Sequence, residues 1–136
     1  VSQSKQKQES GRWLNTARDD LRAARQLLAG DLFAHAAFAC QQAAEKAVKA
    51  VHFYFDSDPW GHSILRLLQA LDADIMQDLF EQAKSLDKFY IPTRYPDALP
   101  GLIPSEAYTR LEAEQAVGMA EIFVKAAGKV VDQGDG

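Results

Sequence analysis

The stretch from Leu32 to Phe55 limits the fold more than any other part of the chain. Phe33, Ala36, Ala37, Cys40, Ala44, Ala47, Val48 and Val51 recur so densely that a helix built on them is apolar around most of its circumference. Such a helix belongs in the middle of a bundle. Its many alanines let neighbouring helices approach closely. One polar strip remains, made of Gln41, Gln42, Glu45, Lys46 and Lys49. Glu45 and Lys49 stand in the favourable i,i+4 order, a contribution of a few tenths of a kcal/mol on an exposed face.

The other segments supply partners for that helix. Leu14, Ala17, Leu21, Ala24 and Leu28 form one helical stripe, so a first helix is expected from about Glu9–Arg12 to Ala29. Gly30 suits its C-cap and Asp31 suits the N-cap of the next helix. Turn residues from Asp56 to Gly61 end the second helix. A short third helix starts at His62 or Ser63 with Ile64, Leu67, Leu68 and Leu71 inward. A fourth, from about Asp74 to Tyr90, carries Ile75, Leu79, Ala83, Leu86 and Tyr90. Thr109 and Glu112 fit a capping box that opens the last helix. Its expected stripe is Leu111, Gln115, Met119, Ile122, Ala126 and Val130, ending near Asp132. No strand pattern, internal repeat or second domain is visible. The expectation is an all-α, five-helix, up-and-down bundle over residues 10–132, with flexible tails at 1–9 and 133–136.

Between the fourth and fifth helices, Ile91 to Ala107 shows no periodicity and holds Pro92, Pro96, Pro100, Gly101 and Pro104. An aperiodic loop of this length in a compact domain is usually functional or disordered, and here it is expected to be ordered. Its opening, Tyr90-Ile91-Pro92-Thr93-Arg94-Tyr95-Pro96-Asp97, packs charge and aromatics together as no other stretch does. Proline pushes the preceding Ile91 and Tyr95 toward extended geometry. Arg94 offers a planar fork of donors to phosphate or carboxylate, Tyr90 and Tyr95 offer stacking faces, and Lys88 adds a cation. The same residues also suit a structural role: Arg94 and Asp97 can pair to pin the loop, and Tyr90 continues a core stripe. His62 suits an anion contact at a helix start or, equally, a cap or a contact to the loop.

Charge and composition narrow the options. A net charge of -4 and a pI near 5.3 confine any nucleic-acid contact to a local patch. The single cysteine, Cys40, reads as a small buried hydrophobe and forms no disulfide within the chain, which fits a reducing compartment. No apolar run nears the roughly 20 residues that span a bilayer, and VSQSKQKQES lacks the apolar core of a signal peptide. Both point to the cytoplasm. His35 and His52 on the second helix have no second ligand at metal-type spacing, so neither a metal nor a cofactor is expected. Gly134-Asp135-Gly136 is a tail, not a phosphate loop.

Several segments, taken in order, resemble HEPN domains. Phe38-Ala39-Cys40-Gln41-Gln42-Ala43-Ala44-Glu45-Lys46-Ala47-Val48-Lys49-Ala50 looks like the family's second-helix signature, and Gly61-His62-Ser63-Ile64-Leu65-Arg66-Leu67-Leu68 like its short third helix. Leu86 through Asp97 resembles the RYPD version of small bacterial and archaeal members, also present in the HEPN domain at the end of human sacsin. Tyr108-Thr109-Arg110 and the helix after it fit too. The resemblance implies a homodimer that often works beside a minimal nucleotidyltransferase in a toxin–antitoxin-like pair. It implies nucleotide, anion or RNA contacts at Arg94, Tyr95, Lys46, Lys49, Lys88 and His62, with Asp97 orienting Arg94 and Tyr90 in support. Many family members are metal-independent ribonucleases with a histidine four to six residues after the arginine. Here Arg94 is followed by Tyr95-Pro96-Asp97-Ala98-Leu99-Pro100, and no histidine follows His62. The expectation is therefore a non-catalytic nucleotide-binding module. The alternatives are a divergent ribonuclease, and an interaction protein in which RYPD is a structural latch.

Overall fold

In a computed structural model, which describes residues 2–72, 74–91 and 93–133, the chain is helical throughout, with no strand among the described residues. In chain order the helices are α1 (Ser2–Ala29), α2 (Phe33–Tyr54), α3 (Ile64–Gln69), α4 (Phe80–Asp87), α5 (Pro104–Ala107) and α6 (Arg110–Gln133). Single 3₁₀ turns lie at Gln77–Leu79 and Pro96–Ala98. The three long helices, α1, α2 and α6, pack mutually. Ala36, Ala37, Cys40, Ala44, Ala47, Val48 and Val51 of α2 are all buried, as a central helix requires. Across from them lie Leu14, Ala17, Leu21 and Ala24 of α1.

Two helix ends are built alike. The N–H of Leu32 donates to the Leu27 carbonyl and that of Asp31 to Leu28, with Asp31 left-handed at φ 62°. The N–H of Ser57 donates to His52 and that of Asp56 to Phe53, with Asp56 at φ 57°. Both are Schellman closures with aspartate, one of the few side chains that tolerates this conformation, where glycine is usual. Asp31 therefore closes α1 and does not cap α2; its carboxylate pairs with Arg110.

Other boundaries moved. The first helix starts at Ser2, well before its apolar stripe, and includes residues expected as a tail. Ser10 is buried there and its Oγ donates to the Ala50 carbonyl, 2.7 Å. Val1 and the expected tail residues 134–136 lie outside the described residues, as does Pro92. α4 begins late because Asp74 (φ 80°) and Met76 (φ 58°) hold left-handed turns before it. The aperiodic loop contains a 3₁₀ turn and the single-turn α5, so among the described residues six α-helices replace five without altering the bundle.

The largest difference is the face of α6. Its core side is Ala113, Ala116, Val117, Ala120, Phe123, Val124, Ala127 and Val131. The expected stripe lies beside it: Leu111 and Ile122 are exposed, and Met119, Ala126 and Val130 half-buried. The alanines on the core side allow a close contact with α2, and Met119, Ile122 and Val130 lie beside α4 and the turn before it. The capping box is present: Glu112 N–H donates to Thr109 Oγ1 at 3.1 Å, and Thr109 N–H to Glu112 Oε1 at 3.0 Å.

Candidate functional site

The polar strip of α2 is not a solvated face. Gln41, Glu45 and Lys49 are buried, and Gln42 and Lys46 half-buried. The Glu45 side chain is only 3% exposed and has three partners. Lys49 Nζ lies 3.0 Å from Oε2, His62 Nδ1 3.2 Å from the same oxygen, and Gln41 Nε2 donates to Oε1 at 3.2 Å. Gln41 Nε2 also donates to the His62 carbonyl at 3.1 Å, and Gln42 Nε2 to Gln41 Oε1 at 2.8 Å. A buried charge persists only when it is paired and hydrogen-bonded, and Glu45 meets that condition. A carboxylate oxygen only accepts, so in this contact His62 Nδ1 is the donor.

His62 then connects this network to the loop. Its ring stacks on Tyr90, with centroids 4.9 Å apart at 18°. The Arg94 guanidinium lies 4.6 Å from the centre of the same Tyr90 ring, 4.7 Å from Phe38 and 5.0 Å from Tyr95. Nε of Arg94 donates to the Tyr90 carbonyl at 2.9 Å. The turn beneath is held by Arg94 N–H to Ile91 O (3.0 Å) and by the buried Thr93, whose Oγ1 donates to the Phe89 carbonyl. Tyr95 is extended (φ -128°, ψ 130°), as a residue before proline should be. The guanidinium is thus clamped by three rings and one backbone bond. Among the described residues it has no ion-pair partner.

Beside it is a cavity of about 350 Å³ lined by His35, Phe38, Thr93, Arg94, Ile103, Pro104 and Ser105. α2 supplies His35 and Phe38, one turn apart on one face. The start of α5 supplies the far wall.

His62, Tyr90, Arg94 and Tyr95 therefore form one cluster, as their sequence context suggests. The three lysines do not join it. Lys49 serves Glu45 and lies 5.6 Å from the centre of the Trp13 ring. Lys46 pairs with Asp20 at 2.7 Å and faces α1. Lys88 lines a separate cavity with Phe89, Tyr108 and Glu112. Asp97 is exposed and forms no ion pair with Arg94, so the aromatic rings orient the arginine in its place.

Phe38, His35 and Asp87 were not anticipated in these roles. Asp87, at the end of α4, caps α3 through space: Oδ1 accepts from Ile64 N–H at 2.7 Å, and Oδ2 from Leu65 N–H and Ser63 Oγ at 3.1 Å each. One signal was available for the α2 residues. His35, Phe38, Gln42, Glu45 and Lys49 follow three- and four-residue steps along a single face.

No group of three or more His, Cys, Asp or Glu gathers as a metal site among the described residues, and no described helix is long and apolar enough to cross a membrane.

The bundle matches a known family. The HEPN domain family model matches residues 10–130, and the chain belongs to that family. TT1696 from Thermus thermophilus has a similar structure, with 46% identity and a TM-score of 0.85, covering 89% of this chain and 97% of its own. ST0689, described as an archaeal HEPN homologue, is 34% identical with a TM-score of 0.77 (90% and 97% covered). A HEPN domain protein from Thermotoga maritima is 35% identical with a TM-score of 0.72 (89% and 98%). No curated protein matches the chain.

Proposed function

We propose that this HEPN protein is a non-catalytic module that binds a nucleotide or similar anion in the Arg94 cavity. In this reading it is a cytoplasmic homodimer that acts with a minimal nucleotidyltransferase in a toxin–antitoxin-like pair. One observation carries the binding role. The Arg94 guanidinium is fixed by Tyr90 O and three aromatic rings, yet has no carboxylate partner among the described residues. An arginine held in place and unneutralised is a ready anion contact. Calorimetric titration with a nucleotide panel tests this. Wild type should bind saturably, and Arg94→Ala should lose binding while keeping its helical circular dichroism. Equal binding by both proteins would remove Arg94 from the site. No binding by either, with a destabilised variant, would make the loop a structural latch for a protein-interaction module.

The Glu45–His62 contact favours a second reading, a divergent ribonuclease. An imidazole oriented by a carboxylate at Nδ1 is the arrangement of a general base. It stacks on Tyr90, the ring that also contacts Arg94. This reading requires RNA cleavage without added metal, reduced in both His62→Ala and Arg94→Ala. Absence of cleavage at high protein concentration would dismiss it.

A further inference from the structure

We propose that His35 is a second ligand contact in the Arg94 cavity, and that the cavity takes a phosphate monoester the size of a nucleoside 5′-monophosphate. This rests on the reading of Arg94 as the anion contact and extends it to a residue and a ligand class.

The lining of the cavity is unusual for this chain. Net charge is -4, and acids outnumber bases, 19 to 15. Each of four other cavities carries at least one carboxylate on its walls. Between α1 and α6, Arg18 and Arg25 pair with Asp132 (2.8 Å) and Glu121 (2.9 Å), beside Lys125 and Lys129. Between α1 and α2, Arg12 is neutralised by Glu9. The cavity beside α4 and α6 holds Asp74 and Asp78 against two lysines. Among the described residues the Arg94 cavity has no carboxylate on its walls; its ionisable groups are Arg94 and His35. A guanidinium and an imidazole around one concavity leave an uncompensated donor field suited to an anion.

The polar groups also divide their work. Thr93 is committed to the Phe89 carbonyl, and Arg94 Nε to the Tyr90 carbonyl. The donors left for a ligand are the outer edge of Arg94, the exposed His35 ring and the Ser105 hydroxyl. Ile103 and Pro104 provide apolar surface for a sugar or base. At about 350 Å³ the cavity is at the small end of ligand sites, which suits one nucleotide better than two.

Proton NMR with parallel calorimetry tests this, because the chain has only three histidines. His52 is buried between Ser57 Oγ and the Leu67 carbonyl and serves as the silent reference. The probes are adenosine 5′-monophosphate, inorganic phosphate and adenosine. The monophosphate and phosphate should shift the His35 ring resonance and leave His52 in place; adenosine alone should bind much more weakly. His35→Gln, an exposed change, should weaken the monophosphate about tenfold, the loss expected for one hydrogen bond to a charged group. Arg94-dependent binding with a still His35 resonance and unchanged affinity in His35→Gln would overturn the role of His35 alone. Adenosine binding as tightly as its monophosphate, or no binding of any probe, would overturn both this inference and the reading of Arg94.

Discussion

Lys49 and Arg94 are both cations in segments that resemble the family signature, yet their surroundings are opposite. Lys49 has its ammonium on Glu45 inside the bundle, with 11% of its side chain exposed. Arg94 is exposed, held by aromatic faces, and has its outer edge unpaired among the described residues. The contrast teaches that a signature mixes two kinds of residue. Those on α2 keep a buried polar network closed, and those on the loop keep a cation open. The two regions meet where His62 stacks on Tyr90 and where Phe38 of α2 lies against Tyr90 and Arg94.

The sharpest way to break this comparison is at Glu45. Removing it leaves the Lys49 charge buried without a partner and frees Gln41 and His62. Breaking a buried pair in this way costs about 3–5 kcal/mol. Glu45→Ala should therefore show a large fall in urea midpoint. A variant within about 0.5 kcal/mol of wild type, the range of ordinary surface changes, would show that the strip behaves as a solvated face after all.

Next in size is Asp87→Ala. Its carboxylate accepts from two backbone N–H groups of α3 and from Ser63. Loss of such a cap should cost about 1–2 kcal/mol. The same denaturation series measures it, and Asp87→Asn should recover part of the loss by keeping one acceptor.

These two residues also show where the sequence was legible. The bundle could be read because helical periodicity and the alanine-dense α2 depend on local chemistry alone. The core face of α6 differs from the expected stripe because close packing on α2 favours Ala113, Ala116, Ala120 and Ala127. The cluster of Tyr90, Arg94 and Tyr95 was readable because its members are contiguous. Asp87 capping α3, and His35 and Phe38 beneath Arg94, join residues 22 or more positions apart. Only tertiary structure brings those together. Glu45 and Lys49 were visible as a pair, but the burial that changes their weight was not.

Cys40 probes the closed region with a smaller effect. Burial, reinforced by Glu121 and partly offset by Arg25, pushes its thiol from 9.0 up to about 12. The folded value is the higher one, so its contribution is fully present below pH 9. It is lost as pH rises toward 12, because the unfolded chain releases the proton first. By pH 10 the loss should be about 1 kcal/mol. Stability of wild type should therefore fall more steeply between pH 8 and pH 10 than that of Cys40→Ala, measured in parallel by urea unfolding. Parallel slopes would show that the thiol ionises equally in both states.

The smallest expected effect on stability decides the most about function. Arg94→Ala removes contacts with three rings and one hydrogen bond to the Tyr90 carbonyl. At an exposed site a cation–π contact contributes about 0.5–1 kcal/mol, and the remaining rings can still pack on one another through the Phe38–Tyr90 and His62–Tyr90 contacts. The variant should lose about 1 kcal/mol or less by urea denaturation, far below Glu45→Ala. A larger loss, near 3 kcal/mol, would place Arg94 with Glu45 as a residue that holds the fold, and the distinction between closed and open regions would fail. A small loss accompanied by complete loss of nucleotide binding would show the reverse. The bundle would then stand without Arg94, while the rings that fix the guanidinium serve to present its free edge to a ligand.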